Sequence, residues 1–230
     1  MKTPKTPARP QPGMGWGIGL VVLVAAIGVG IVVLNGGFSG NTSSTPKPTP
    51  LVRPTPGIPL GPLEAGCSGV AIRQCMISRT TTPAMVIDTK ATYFATVTTA
   101  KGSFVIKLNS SEAPVTVNNF VVLATNHFYD GLTFHRVEGF VVQGGDPKGN
   151  GTGGPGYNLP SEKSSSPWTR ASVGMAAGGA VNGSQFFVLK TDSLSLSAGT
   201  YNHFGVVASG MDVVDKMAVG DVITSITISV

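Results

Sequence analysis

Between residues 39 and 62 the chain reads SGNTSSTPKPTPLVRPTPGIPLGP, and a stretch so dense in Pro, Thr, Ser and Gly has too little apolar surface to bury a core. It reads as an extended, polyproline-like spacer; a proline-rich ligand for another protein's groove is the competing reading. Either way it divides the chain. Any sizeable globular part has to be built from the residues that follow.

Upstream, Trp16 to Leu34 (WGIGLVVLVAAIGVGIVVL) is apolar or Gly throughout, about long enough at helical rise to cross a hydrocarbon core of roughly 30 Å. It predicts a transmembrane helix over 15–35. Lys2, Lys5 and Arg9 precede it, while Asn35-Gly36-Gly37-Phe38-Ser39-Gly40 follows without charge. That bias keeps residues 1–14 in the cytoplasm and places the C-terminal part outside, giving a single-pass cell-membrane protein. A cleaved signal peptide is the alternative, but its apolar region is normally about 7–15 residues and ends in an Ala-x-Ala-like site. No convincing site follows Leu34, and no Cys stands just after the run to accept a lipid.

The formal charge of +5 and pI of about 9.4 invite a nucleic-acid reading, yet Lys2, Lys5, Arg9, Lys47 and Arg53 lie in the anchor's flank and the 36–66 linker. The remainder is near neutral and has no dense Lys/Arg stripe, which argues against nucleic acid as a partner. Cys67 and Cys75 are the only cysteines and open a short extension over 67–88. Outside a membrane such a pair can close a local disulfide; two free thiols are the alternative. No His or carboxylate clusters with them, so a metal site is not expected.

From Tyr93 the pattern changes. Tyr93 to Thr99, a Lys101-Gly102 turn and Ser103 to Leu108 alternate in β-branched and aromatic types, which reads as a hairpin. A helix follows: Pro114 suits its first turn, Ser110 or Ser111 can cap it, and Val117, Phe120, Val121 and Ala124 make one apolar face ending near His127. Tyr201 to Val207 reads as a strand, Met211 to Met217 as a short helix stopped by Gly220, and Ile223 to Val230 as a last alternating strand. Many short strands with two helices imply a β-rich domain, and a closed barrel would remove its edges.

Two segments carry the chemistry: Phe134 to Asp146 (FHRVEGFVVQGGD) and Asn182 to Val188 (NGSQFFV). They combine one Arg and two Gln with several aromatics, and lack the Ser/His/Asp, Cys/His or metal-ligand sets of covalent and hydrolytic enzymes. Arg136 is either half of a structural ion pair with Glu138 or a functional cation. Gln143 and Gln185, in similarly apolar surroundings, favour polar ends converging on a lined cleft. Phe140, Phe186 and Phe187 suit a core, but strand alternation turns Phe186 and Phe187 to opposite faces, so at most one belongs to a pocket. The Gly-rich run 144–156 lacks the Gly-Lys-Ser/Thr ending of a phosphate loop and reads as a surface loop. His127, His135 and His203 read as hydrogen-bonded structural histidines.

These segments, with Ala113-Pro114-Val115-Thr116-Val117-Asn118-Asn119-Phe120, Phe128-Tyr129-Asp130-Gly131-Leu132-Thr133 and Gly151-Thr152-Gly153-Gly154, stand in one order over Thr89–Val230. In that order the stretch resembles the cyclophilin family of peptidyl-prolyl cis-trans isomerases in its bacterial form. The resemblance implies a mainly β fold over 89–230, an eight-stranded antiparallel closed β-barrel capped by two α-helices, with a proline-binding groove outside. It makes Arg136 the catalytic residue, with Phe140, Val141 and Phe187 as pocket walls and Leu196 at the rim. Gln143 and Gln185 become polar contacts, Ala176 and Ala177 the backbone that pairs with the residue before proline, and Gly151 the groove's edge. Tyr201 falls where many members place His. Two segments, Arg136–Phe140 and Met175–Ala180, are each one residue shorter than the commonest family spacing. The usual rim Trp is replaced, with Ser195 nearest it, which argues against tight cyclosporin binding.

The resemblance further implies action on proline-containing polypeptides with neither cofactor nor metal; together with the anchor it gives a monomer that assists the folding of extracytoplasmic proteins. The alternative is a catalytically weak proline-peptide binding module or chaperone.

Overall fold

A computed structural model describes residues 72–77, 79–193, 195–196 and 199–230. The expected transmembrane helix over 15–35, the 36–66 linker and Cys67 lie outside these residues. Among the described residues no helix is long and apolar enough to cross a membrane.

The expected hairpin is β1 (Tyr93–Thr99) and β2 (Gly102–Leu108), paired antiparallel. Period-two alternation makes it: Tyr93, Ala95 and Val97 of β1 and Phe104, Ile106 and Leu108 of β2 are all buried. Six further strands complete the main sheet: β3 (Phe134–Val137), β4 (Val141–Gly144), β6 (Ser172–Ala177), β7 (Val181–Leu189), β8 (Asn202–Ser209) and β9 (Ile223–Ser229). They run in the order β3-β4-β7-β6-β8-β2-β1-β9, while the two-residue β5 (Asn158–Leu159) pairs β7 off this path. Every pairing is antiparallel.

The closed barrel expected from the sequence is not formed. β3 and β9 end the path without pairing as strands, so the sheet is an open half-barrel. One isolated bridge, Thr133 with Val222, spans the gap. The reason is local. β3 has only four residues and its pairing shifts register between Phe134 and Arg136, while Gly131 (φ 80°) and Gly220 (φ 92°) turn the backbone on either side of the seam. Loop backbone closes the gap instead: Gly131 N–H donates to Ile223 O at 2.8 Å, and Phe134 N–H to Asp221 O at 2.9 Å. The edge groups are thereby satisfied without a ladder.

Three helices are described: α1 (Ile72–Ile77), α2 (Pro114–Thr125) and α3 (Met211–Asp215). The first, in the Cys-containing extension, adds to the two read from the sequence. On α2, Val117, Phe120, Val121 and Ala124 are buried as expected, but so are Thr116, Asn118, Asn119, Val122 and Leu123. A second layer covers that other side. Asn118 Oδ1 accepts from Val86 N–H at 2.8 Å and its Nδ2 donates to Ala84 O at 3.0 Å, holding the extension against the helix. Arg73 Nε donates to Phe128 O at 2.8 Å, and its Nη2 donates to Asp130 O.

The expected Ser110 or Ser111 cap is replaced by a remote one. α2 begins at Pro114 with no side-chain cap at its N-cap, Ala113. Its first-turn N–H groups on Val115 and Thr116 donate to Glu162 at 2.9 and 2.8 Å. A carboxylate there satisfies orphan donors and complements the helix dipole. Ser110 Oγ instead donates to Ala91 O at 2.6 Å.

Candidate active site

Pairing of β4 with β7 brings the two chemistry-bearing segments together, with Gln143 opposite Phe187 and Gly144 opposite Phe186. Alternation then separates the neighbouring aromatics. Phe186 faces inward, with no exposure, and meets Phe120, Tyr129 and Phe134 edge-on. Phe187 faces outward into a second apolar cluster with Val141, Trp168 and Leu189, against which Ala176, Leu196 and Tyr201 pack.

Phe187, Val141 and Leu189 of that cluster line a cavity of about 370 Å³ whose walls also include Arg136, Phe140, Gln143, Ala176, Ala177, Leu196 and Tyr201. Gly151 and Gln185 line an adjoining cavity of about 290 Å³ that shares Gln143, Ala176 and Ala177 with the first. Every candidate groove residue read from the sequence thus borders one of two neighbouring hollows. Ser193 and Ser195 complete the first.

Arg136 is not buried, so burial is not what its partner offsets. Its side chain is 47% exposed, with Nε 2.7 Å from Glu138 Oε1. The hydrogen bond from Arg136 holds the Glu138 carboxyl below its usual range. Nη1 donates to Gln143 Oε1 at 3.4 Å, and the guanidinium carbon lies 5.7 Å from the Phe140 ring centre. Gln143 Nε2 donates to Gln185 Oε1 at 2.9 Å, and Gln185 Nε2 donates to the carbonyls of Gly151 and Gly153 at 3.0 and 2.8 Å. The cation therefore ends a chain of amides anchored in the Gly-rich loop, an arrangement that fixes its position.

The loop is shaped by Asp146, which is buried and accepts from Lys148 N–H at 2.8 Å, Asn150 N–H at 3.0 Å and Gly151 N–H at 2.5 Å. Burial pushes this carboxyl up, and the loop N–H groups outweigh that and leave it low. Gly153 is obligatory here, because an added Cβ would stand 2.0 Å from Asp146 Oδ1. The Arg136–Phe140 and Met175–Ala180 segments both close as tight turns. Glu138 N–H donates to Val141 O at 2.8 Å, and Gly178 N–H to Ala180 O at 3.2 Å with Gly179 at φ 95°.

Of the three histidines, His127 has its partner, Asp130, at 3.0 Å. His135 differs from the expected hydrogen-bonded histidine, since both ring nitrogens are buried without a protein hydrogen-bond partner; His203 Nδ1 is likewise unpartnered. Desolvation lowers the pKa of both. A histidine whose folded pKa is depressed binds its proton more readily when unfolded, so stability falls as pH drops below the unfolded value of about 6.5. The melting temperature is therefore expected to decrease from pH 7 to pH 5, and less steeply in His203→Gln. A thermal-melt series in which the two proteins have equal slopes would exclude His203 as a source.

Among the described residues no group of three or more His, Cys, Asp or Glu is placed to hold a metal ion. Cys75 is disulfide-bonded. Sequence reasoning missed Trp168, which comes from an irregular loop with no periodicity to mark it.

The family model described as cyclophilin type peptidyl-prolyl cis-trans isomerase/CLD matches residues 93–229. A peptidyl-prolyl cis-trans isomerase of Helicobacter pylori (strain ATCC 700392 / 26695) is 45% identical over 144 residues, covering 60% of this chain and 88% of that protein. Peptidyl-prolyl cis-trans isomerase B of Bacillus subtilis (strain 168) is 45% identical over 126 residues, 53% of this chain and 87% of its own length. Among solved structures, a Cryptosporidium parvum cyclophilin type peptidyl-prolyl cis-trans isomerase superposes with a TM-score of 0.56 at 26% identity, over 61% of this chain and 99% of that one. The same enzyme crystallised in the presence of the dipeptide Ala-Pro gives a TM-score of 0.55 at 27% identity, over 60% and 99% of the two chains. Because the family model spans residues 93–229, from the first strand of the half-barrel to the last, the chain belongs to the cyclophilin-type peptidyl-prolyl cis-trans isomerase family.

Proposed function

We propose that this chain isomerises X-Pro peptide bonds on the outer side of a membrane, with Arg136 as its catalytic residue. The isomerase activity follows from family membership. The observation that carries the assignment to these residues is the convergence of the Arg136 guanidinium and the apolar Phe187 wall on one cavity, with Gln143 between them.

The reaction is a rotation. An X-Pro amide turns over a barrier of roughly 18–20 kcal/mol because the nitrogen lone pair is delocalised into the carbonyl. Twisting localises that pair on nitrogen, where a guanidinium donor from Arg136 stabilises it more than it stabilises the planar ground state. Phe187, Val141, Phe140 and Leu196 hold the ring, with Tyr201 lining the same cavity edge-on to Phe187. The Ala176–Ala177 backbone pairs with the residue before proline, and Gln143 and Gln185 meet the moving carbonyl. Gly151 borders the path of the preceding residues.

The test is cis to trans exchange of a short Ala-Pro peptide followed by NMR in the presence of the full chain. Accelerated exchange supports the reading. Saturable binding without acceleration would replace it with a peptide-binding module.

The membrane placement rests on the Trp16–Leu34 run and the Lys2, Lys5 and Arg9 flank. The disulfide on Cys75 fits an oxidising compartment, and Cys67 is its partner in this reading. Residues 36–66 then tether a monomeric domain whose clients are extracytoplasmic polypeptides. The full-length protein is expected to remain with membranes after an alkaline carbonate wash, while external protease removes the C-terminal part. Release as a shortened, soluble chain would mean a cleaved signal peptide.

A further inference from the structure

Trp168 is one of two tryptophans in the chain, the other being Trp16. It is 7% exposed, yet it belongs to the outer cluster with Phe187, Val141 and Leu189 and has no place in the main core. Its indole stacks on Phe187, with ring centres 5.6 Å apart and an interplanar angle of 25°. Tyr201 stands edge-on to both rings, at 6.3 Å from Trp168 and 5.6 Å from Phe187. On the indole's side, His203 is 4.7 Å away and edge-on, so the plate is itself backed.

The strand beneath is built for this pair. Gly174 of β6 lies opposite Phe187 in the ladder, and a Cβ there would come within 2.5 Å of Phe187 Cζ and 2.6 Å of Trp168 Cη2. Both rings press on bare backbone. The Trp168 main chain also holds a second part of the lining, because its carbonyl accepts from Ser193 N–H at 2.9 Å and Ser193 lines the hollow.

From this geometry we infer that Trp168 is a positioning residue: it fixes how far the Phe187 ring can retreat and so sets the size of ring the pocket accepts. The inference deepens the isomerase reading and rests on it for the identity of the pocket's occupant. A rigid aromatic backstop discriminates by size. One methylene in an apolar pocket is worth about a 10- to 200-fold preference, and Phe187 can enforce that preference only while Trp168, stacked on it above Gly174, stops the ring from retreating further.

The test compares Ala-Pro with Ala-pipecolyl peptide, whose ring is one methylene larger, by calorimetric titration of the full chain and of Trp168→Ala. The preference for the prolyl peptide is expected to fall at least fivefold in Trp168→Ala, and by less in Trp168→Phe, which keeps a ring at the site. An unchanged ratio in a folded Trp168→Ala protein overturns the inference; if that variant does not fold, an unchanged ratio in Trp168→Leu does so. In a full chain carrying Trp16→Phe, Trp168 emission is expected to change saturably with Ala-Pro peptide, and to do so still when Arg136→Ala is added. An emission response without turnover removes the isomerase reading and leaves the positioning role. Turnover with silent emission and an unchanged ratio removes the positioning role alone.

Discussion

Arg136→Ala is expected to lower kcat/KM for an Ala-Pro peptide by about 10²- to 10³-fold, the cost typical of losing one preorganised donor that meets charge developing in the transition state. The loss should fall on kcat, because the apolar wall of Phe187, Val141 and Leu196 that holds the ring is untouched. Arg136→Lys should recover little. The guanidinium uses Nε on Glu138 and Nη1 on Gln143, and the remaining N–H groups stay available to a ligand. A lysine ammonium has the charge but not the planar fork that makes these contacts together. Exchange measurements on the two variants and the parent check this; a fall of less than threefold in Arg136→Ala would remove Arg136 from the chemistry and leave it as Glu138's surface partner. Such an exposed pair is worth little to stability, so the variant should melt close to the parent.

What could be read in the chain beforehand was what depends on near neighbours. Period-two alternation in Tyr93–Thr99 and Gly102–Leu108 produced the hairpin, and the same rule separated Phe186 from Phe187. The two motif segments were legible as belonging together because β4 and β7 are ladder partners, which brings Gln143 within hydrogen-bond distance of Gln185. What could not be read depends on distant pairs. Closure of the sheet turned on whether four residues of β3 could ladder with β9, which is decided by glycine turns on both sides of the seam. The cap of α2 came from Glu162, 46 residues away from Thr116. Trp168 reached Phe187 from an irregular loop, over a glycine whose missing Cβ gives no signal in a sequence. In each case one local preference was met by a partner that only the tertiary structure supplies.

The adjacent phenylalanines offer the sharpest separation of fold from function. Phe186→Ala is expected to destabilise the domain by about 3–5 kcal/mol, the range for deleting a fully buried aromatic. Phe186 is fully buried, and its ring makes edge contacts with Phe120 at 5.5 Å, Tyr129 at 5.7 Å and Phe134 at 6.2 Å. Those partners come from α2, the loop after it and β3, so the void opens where the sheet meets the helix and cannot collapse without moving both. Phe187→Ala should cost less stability, because its outer face borders a cavity already open to solvent and no sealed void forms. It should instead raise KM for Ala-Pro peptides by about tenfold or more, since the stripped wall leaves the ring with Val141, Leu196 and Phe140 alone. Denaturant melts and exchange kinetics on the two variants decide the matter. Similar stability losses accompanied by similar KM values would mean that the two rings share one core, and that the outward cluster is not a substrate pocket.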